Sequence, residues 1–137
     1  MQLIAIFLLA ANLATVNVKF SNGQTLKLDV ARSAQDLGMG LVGRDVAPDT
    51  GMLFVYPTDT RTRFNLIGYR IPMDILYLDE NKTIINLQQN LVPCRTTDCG
   101  YDSIWMYRYA IQVPAGTVKR LNLHAGDVVP FELPKNK

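Results

Sequence analysis

Apolar and polar positions alternate strictly over two neighbouring stretches, Thr15-Val16-Asn17-Val18-Lys19-Phe20 and Thr25-Leu26-Lys27-Leu28-Asp29-Val30. A period of two sends every second side chain to the same side, the pattern of a strand with one buried face. The intervening Ser21-Asn22-Gly23-Gln24 carries an Asn-Gly pair, which tolerates the positive φ of a tight hairpin turn. The pattern therefore predicts a β-hairpin over residues 15–30. Next, Ser33-Ala34-Gln35-Asp36 offers a side-chain oxygen as N-cap with an acid three residues on, a helix start. Gly38, Gly40 and Gly43 keep that helix short.

Further along, Met52-Leu53-Phe54-Val55-Tyr56 is an unbroken apolar run after the turn Pro48-Asp49-Thr50-Gly51, as in a strand buried on both faces. Arg63–Ile67 and Met73–Leu78 read as two more strands separated by Gly68 and Pro72, and Thr83–Leu87 follows the turn Asp79–Lys82. Tyr107–Val113 alternates again, and Pro114-Ala115-Gly116 opens a short helix or turn through Leu121. After the tight turn Ala125-Gly126-Asp127, Val128–Leu133 reads as a closing strand, placed at an edge by Pro130. These elements predict an α+β fold: a mainly antiparallel β-sheet or open barrel of about eight short strands with one or two short helices. With 137 residues, no internal repeat and no low-complexity linker, residues 15–137 form one domain.

The first 14 residues stand apart. No charge occurs from Met1 to Val18, and Leu3–Ala11 resembles the apolar region of a signal peptide, with small residues at Ala11 and Ala14 for cleavage. No Lys or Arg precedes the run, and Asn12 is awkward for a cut after Ala14, so residues 1–14 are read as a signal peptide or an N-terminal anchor. A buried N-terminal strand or helix is the alternative. The run is too short to cross a bilayer, which takes about 20 apolar residues. Export to the periplasm or the extracellular space is the expectation. It makes the closely spaced Cys94 and Cys99 a disulfide, contributing about 2 kcal/mol by loop entropy and pinning its loop more than the fold. Net charge is +2, from 14 Lys and Arg against 12 Asp and Glu with the signs interspersed. No concentrated basic face exists for a nucleic acid.

Several phrases in order carry a family likeness: Met39-Gly40-Leu41-Val42-Gly43-Arg44, Gly51-Met52-Leu53-Phe54-Val55, Ile71-Pro72-Met73-Asp74-Ile75-Leu76-Tyr77-Leu78-Asp79, Val113-Pro114-Ala115-Gly116 and Ala125-Gly126-Asp127. Together they resemble the family called domain of unknown function 192, over essentially the whole chain after the leader. The resemblance implies a compact β-rich fold in a small, frequently exported protein, and it brings no reaction with it. The family's phrase Phe-Trp-Met-Lys-Asn-Thr is here Phe64-Asn65-Leu66-Ile67-Gly68-Tyr69. Asn65 and Gly68 stand where the family has Trp and Asn, so a site built from that phrase is altered or lost. Arg44 and Asp74 remain.

Those two residues lead the candidate chemistry. A guanidinium among Gly40 and Gly43 can approach a carboxylate or phosphate closely. Asp74, at a strand start, would orient it or act as an acid or base; a structural ion pair between loop and sheet is the alternative. Tyr69 is a further candidate ligand contact, in a set with Tyr101, Trp105, Tyr107 and Tyr109 that serves either stacking or core packing. The cysteine spacing lacks the setting of a redox motif. His124 is the single histidine, leaving too few ligands for a metal and no triad with a nucleophile elbow. Gly38-Met39-Gly40-Leu41-Val42-Gly43 matches a dinucleotide-binding glycine pattern literally but follows a helix signal rather than a strand. The expected function is a non-catalytic binding or accessory module for a small anionic or envelope-derived ligand, without cofactor or metal. A small envelope-acting enzyme using Asp74 and Arg44 is the alternative, and an interaction domain without a small-molecule site is the third reading.

Overall fold

The structure is a computed structural model describing residues 13–96 and 99–135, so the leader expected over residues 1–14 lies almost wholly outside the described residues. The elements in chain order are β1 (Thr15–Lys19), β2 (Thr25–Ala31), α1 (Ala34–Met39), β3 (Thr50–Thr60), β4 (Met73–Leu78), β5 (Ile84–Leu91), β6 (Tyr107–Pro114) and α2 (Thr117–Leu121). The strands form one six-stranded sheet in the order β1-β2-β3-β6-β4-β5. All neighbours are antiparallel except β2 and β3, which run parallel because the chain crosses over through α1 between them.

The expected hairpin is present. Gly23 takes φ 87°, Asn22 Oδ1 accepts the Gln24 N–H, and Thr15 pairs with Asp29 and Lys19 with Thr25. Ser33 Oγ accepts the Asp36 N–H, so the N-cap forms as expected, and α1 stops after six residues at Gly40, which takes φ 51°. The second helix starts at Thr117 after the Pro-Ala-Gly phrase and ends at Asn122 in a left-handed conformation.

Two expected strands are absent. Residues 63–67 form an irregular loop with a single bridge, Phe64 to Tyr101, and residues 128–133 keep one bridge, Thr83 to Val128. Both segments are apolar for a different reason from strand pairing. They lie over the two faces of the sheet and contribute side chains to its cores. Phe64 and Leu66 join one cluster, and Val129 and Phe131 join the other. The sheet has six strands rather than about eight, and it is open, with β1 and β5 at its edges.

Alternation decides which side chains go where. Val16, Val18, Leu26, Leu28, Leu53, Ile111 and Val113 line the face covered by α2 and the C-terminal segment. Met52, Phe54, Tyr56, Met73, Ile75, Tyr77 and Tyr107 line the opposite face, beneath Leu41, Leu66 and Tyr69 from the loops. Strand β4 is buried along its whole length, as a central strand covered on both faces should be. The second core is aromatic: Tyr77 and Tyr107 meet edge to face at 4.8 Å between centroids, and Phe54 and Phe64 at 5.1 Å. Their hydroxyls are not stranded, since Tyr107 donates to Thr62 O at 2.6 Å and Tyr77 to Gln88 Oε1 at 2.8 Å. Of the aromatic set considered for stacking, Tyr69 and Tyr107 are buried while Trp105 is largely exposed. No helix among the described residues is long and apolar enough to cross a membrane.

Candidate functional site

On β2, Lys27 and Asp29 alternate with the core residues Leu26, Leu28 and Val30 and therefore point away from the first core. The crossover returns from α1 over this face. It carries Arg44, whose guanidinium forms an ion pair with Asp29. Lys27, Asp29, Leu41, Arg44, Asp45 and Thr50 line a cleft of about 230 Å³, with Asp45 engaged by Arg70 at 2.7 Å. Arg44 is 43% exposed there and Asp29 25%, so the pair sits at the cleft wall and not in the core. Lys27 has no carboxylate partner among the described residues. The floor comes close to bare backbone: a Cβ at Gly51 would lie 2.1 Å from the Gln112 carbonyl oxygen of β6. Glycine is needed at that position because two strands approach without room for a methyl group.

The loop that presents Arg44 is held from below. Tyr69 Oη accepts the Leu41 N–H at 3.1 Å and donates to Gln112 Oε1 at 2.5 Å. Burial pushes the Tyr69 phenol above its ordinary pKa, with these hydrogen bonds and the nearby Arg44 charge acting in the opposite direction. Gly43 N donates to Gly68 O at 2.8 Å, joining the same loop to the altered family phrase. Gly68 has φ 82°, and a Cβ there would meet Val42 at 2.8 Å. Tyr69 and Gly68, both departures from the family phrase, thus dock residues 41–44 onto the sheet. Asn65 turns on itself, its Oδ1 accepting the Ile67 N–H. A second cleft of about 150 Å³ lies beside the first between Gly38, Gly40, Phe64, Asn65 and Tyr69.

Asp74 is elsewhere. The expected Arg44–Asp74 pairing does not form, because Asp74 lies on the opposite face of the sheet and is fully buried. Its Oδ1 accepts the Asn90 N–H at 2.9 Å, while Oδ2 accepts the N–H groups of Gly116 at 3.1 Å and Val118 at 3.0 Å. A carboxylate bonded this way caps the first turn of α2 and ties it to β4 and β5, satisfying backbone donors that helix starts leave free. That geometry gives Asp74 no access to the cleft.

Cys94 and Cys99 are placed at disulfide distance, with Cα atoms 6.2 Å apart, in the loop between β5 and β6. No cluster of three or more metal-ligating side chains occurs among the described residues. His124 occupies the expected turn, its backbone N–H donating to Asp127 Oδ2 at 2.7 Å.

Sequence reasoning singled out Arg44 and Tyr69 but missed Asp29, Lys27 and Gln112. Gln112 was the legible one, a lone polar side chain inside the apolar run Ala110–Val113 of a central strand. Lys27 and Asp29 gave no local signal, since polar residues alternating on a hairpin strand ordinarily face water.

Comparison with known proteins agrees with the fold. No curated protein matches the chain. A solved structure from Sinorhizobium meliloti 1021, described as a putative transcription regulator, is 28% identical with a TM-score of 0.78, covering 88% of this chain and 96% of its own. A protein of unknown function from Novosphingobium aromaticivorans DSM 12444 shares the fold at 22% identity and a TM-score of 0.75, covering 86% of this chain and 84% of its own. Residues 16–131 match the family DUF192, described as Uncharacterized ACR, COG1430, and the chain belongs to that family.

Proposed function

We propose that this domain is an exported, non-catalytic binding module that holds a small anionic ligand of envelope origin in the Arg44 cleft. The observation that carries the reading is the pairing of two exposed cationic side chains, Arg44 and Lys27, at the wall of one cleft of about 230 Å³. Asp29 engages one terminal nitrogen of the guanidinium and holds it in place. The remaining N–H donors, in their planar fork, are available to a carboxylate or phosphate oxygen. Lys27 supplies the second charge, and Tyr69 fixes the loop so that little ordering is needed on binding. Asp74, buried and spent on three backbone N–H groups, serves the scaffold in this reading. The charge-free apolar run Leu3–Ala11 and the paired cysteines support export.

The test is calorimetric titration of the protein with inorganic phosphate, acetate and a sugar phosphate, repeated on Arg44→Gln and Lys27→Gln. Binding that weakens about tenfold or more in Arg44→Gln supports the cleft, since a charge-assisted bond contributes about 1.5–3 kcal/mol. Equal affinity in the native protein and Arg44→Gln, or no binding of any of the three, refutes it. Cell fractionation tests export, which a wholly cytoplasmic pool of the full chain would overturn.

A further inference from the structure

The segment joining β5 to β6 carries a feature that the cleft does not use. Ile104, Trp105 and Met106 are consecutive and exposed at 69%, 62% and 53%, directly before β6. Three large apolar side chains in a row in water are costly, and a soluble surface ordinarily scatters them. Their backbone is nevertheless well organised. Ser103 Oγ donates to Trp105 O at 2.6 Å and accepts the Trp105 N–H at 3.2 Å, closing a tight turn. Arg61 Nη2 donates to Ile104 O at 3.1 Å and anchors the turn to the end of β3.

Charge surrounds this tip unevenly. Arg63 faces Asp102 at 3.4 Å and Arg108 faces Asp59 at 3.0 Å, so those charges are paired. Arg61 has no carboxylate partner among the described residues. The tip thus presents an apolar triplet with, at its base, a guanidinium that pairs with no carboxylate among the described residues.

We propose that Ile104, Trp105 and Met106 form a membrane-surface anchor that inserts into the interface of an anionic bilayer. The indole rests at headgroup level, Ile104 and Met106 enter the acyl boundary, and Arg61 meets lipid phosphate. Trp is favoured at this depth because its ring is apolar and its N–H is polar. A guanidinium near an anionic surface adds electrostatic attraction that falls away within a Debye length. The anchor would tether the domain to the envelope surface, and it does not depend on what the cleft binds.

Trp105 is the only tryptophan in the chain, so its fluorescence reports on the tip alone, whatever residues 1–14 do. The full chain is titrated with vesicles of equal parts phosphatidylglycerol and phosphatidylcholine, some carrying brominated acyl chains, and with vesicles of phosphatidylcholine alone. The expected result is a blue shift with anionic vesicles and quenching by the brominated lipid. Partitioning should weaken about fivefold in Arg61→Gln and about tenfold or more in Ile104→Ser, which keeps the reporter. Both substitutions are at the surface, and unchanged circular dichroism confirms folding. Unshifted, unquenched Trp105 emission with anionic vesicles overturns the proposal. A blue shift that follows protein concentration without lipid overturns it in favour of a second copy of the chain. Partitioning insensitive to Ile104→Ser assigns binding to another part of the chain and overturns it as well.

Discussion

Replacing Asp74 tests the separation of scaffold from cleft most sharply. Its carboxylate accepts three backbone N–H bonds from Asn90, Gly116 and Val118, at 2.9–3.1 Å, and no solvent reaches it. Hydrogen bonds to a charged group contribute about 1.5–3 kcal/mol each, and a buried donor left unpaired costs about 1–3 kcal/mol. The three share one acceptor and are not independent, so simple addition overstates the loss. Asp74→Ala is expected to cost roughly 4 kcal/mol, a large part of the 5–15 kcal/mol that stabilises most domains. Asp74→Asn keeps the shape. Its amide oxygen can serve the two donors of α2, but its NH2 group then faces the Asn90 N–H, and the loss should be about 2 kcal/mol. Urea denaturation followed by far-ultraviolet circular dichroism gives both values. Anion binding by the folded Asp74→Asn protein should match the native protein, since Asp74 does not line the cleft. The reasoning fails if both variants retain stability within about 0.5 kcal/mol, or if Asp74→Asn is stable and yet loses ligand binding.

Tyr69→Phe removes the hydroxyl shared by Leu41 N and Gln112 Oε1, leaving both unpaired; a loss of about 2 kcal/mol in urea denaturation is expected, and an unchanged midpoint would contradict the network. Gly51→Ala should cost about 3 kcal/mol or more because its Cβ meets neighbouring backbone. Gly38→Ala, within α1 and with nothing within 4 Å of the added methyl, should stabilise by about 0.5–1 kcal/mol; thermal melts of the pair that moved together would refute the contrast. Burial raises the phenol pKa of Tyr56, Tyr69, Tyr77 and Tyr107 above 10.0. The unfolded chain then loses its protons first, so their contribution is complete below about pH 10 and declines above it, by up to about 1.4 kcal/mol per pH unit for each tyrosine. Denaturation midpoints should fall as pH rises past that point, and full phenolate absorbance from the six tyrosines in a still-folded protein would refute this.

The elements read most clearly from sequence were those whose signal is local. The Asn22-Gly23 hairpin, the Ser33 cap, the arrest of α1 at Gly40 and the short helix after Gly116 each depend on a few adjacent residues whose backbone preferences agree. Alternation also assigned Val16, Val18, Leu26 and Leu28 to one face before any partner strand was known. Residues 63–67 and 128–133 misled because apolar content records burial and not hydrogen-bond pairing. Phe64 and Phe131 are buried as loop residues lying across the sheet, and only the path of the chain distinguishes that from a strand. The cleft divided in the same way. Arg44 was visible among its glycines, but its partner is Asp29, 15 residues upstream on a strand that sequence alone sent into water. Asp74 belongs to a different family phrase from Arg44, and one residue's parity along β4 turns it to the far face, toward α2. The sequence by itself determined which segments are strands, turns and helices wherever neighbouring residues agree. The parallel pairing of β2 with β3, the meeting of Arg44 with Asp29 and the burial of Asp74 were decided by tertiary structure, because each depends on how distant segments close over opposite faces of one sheet.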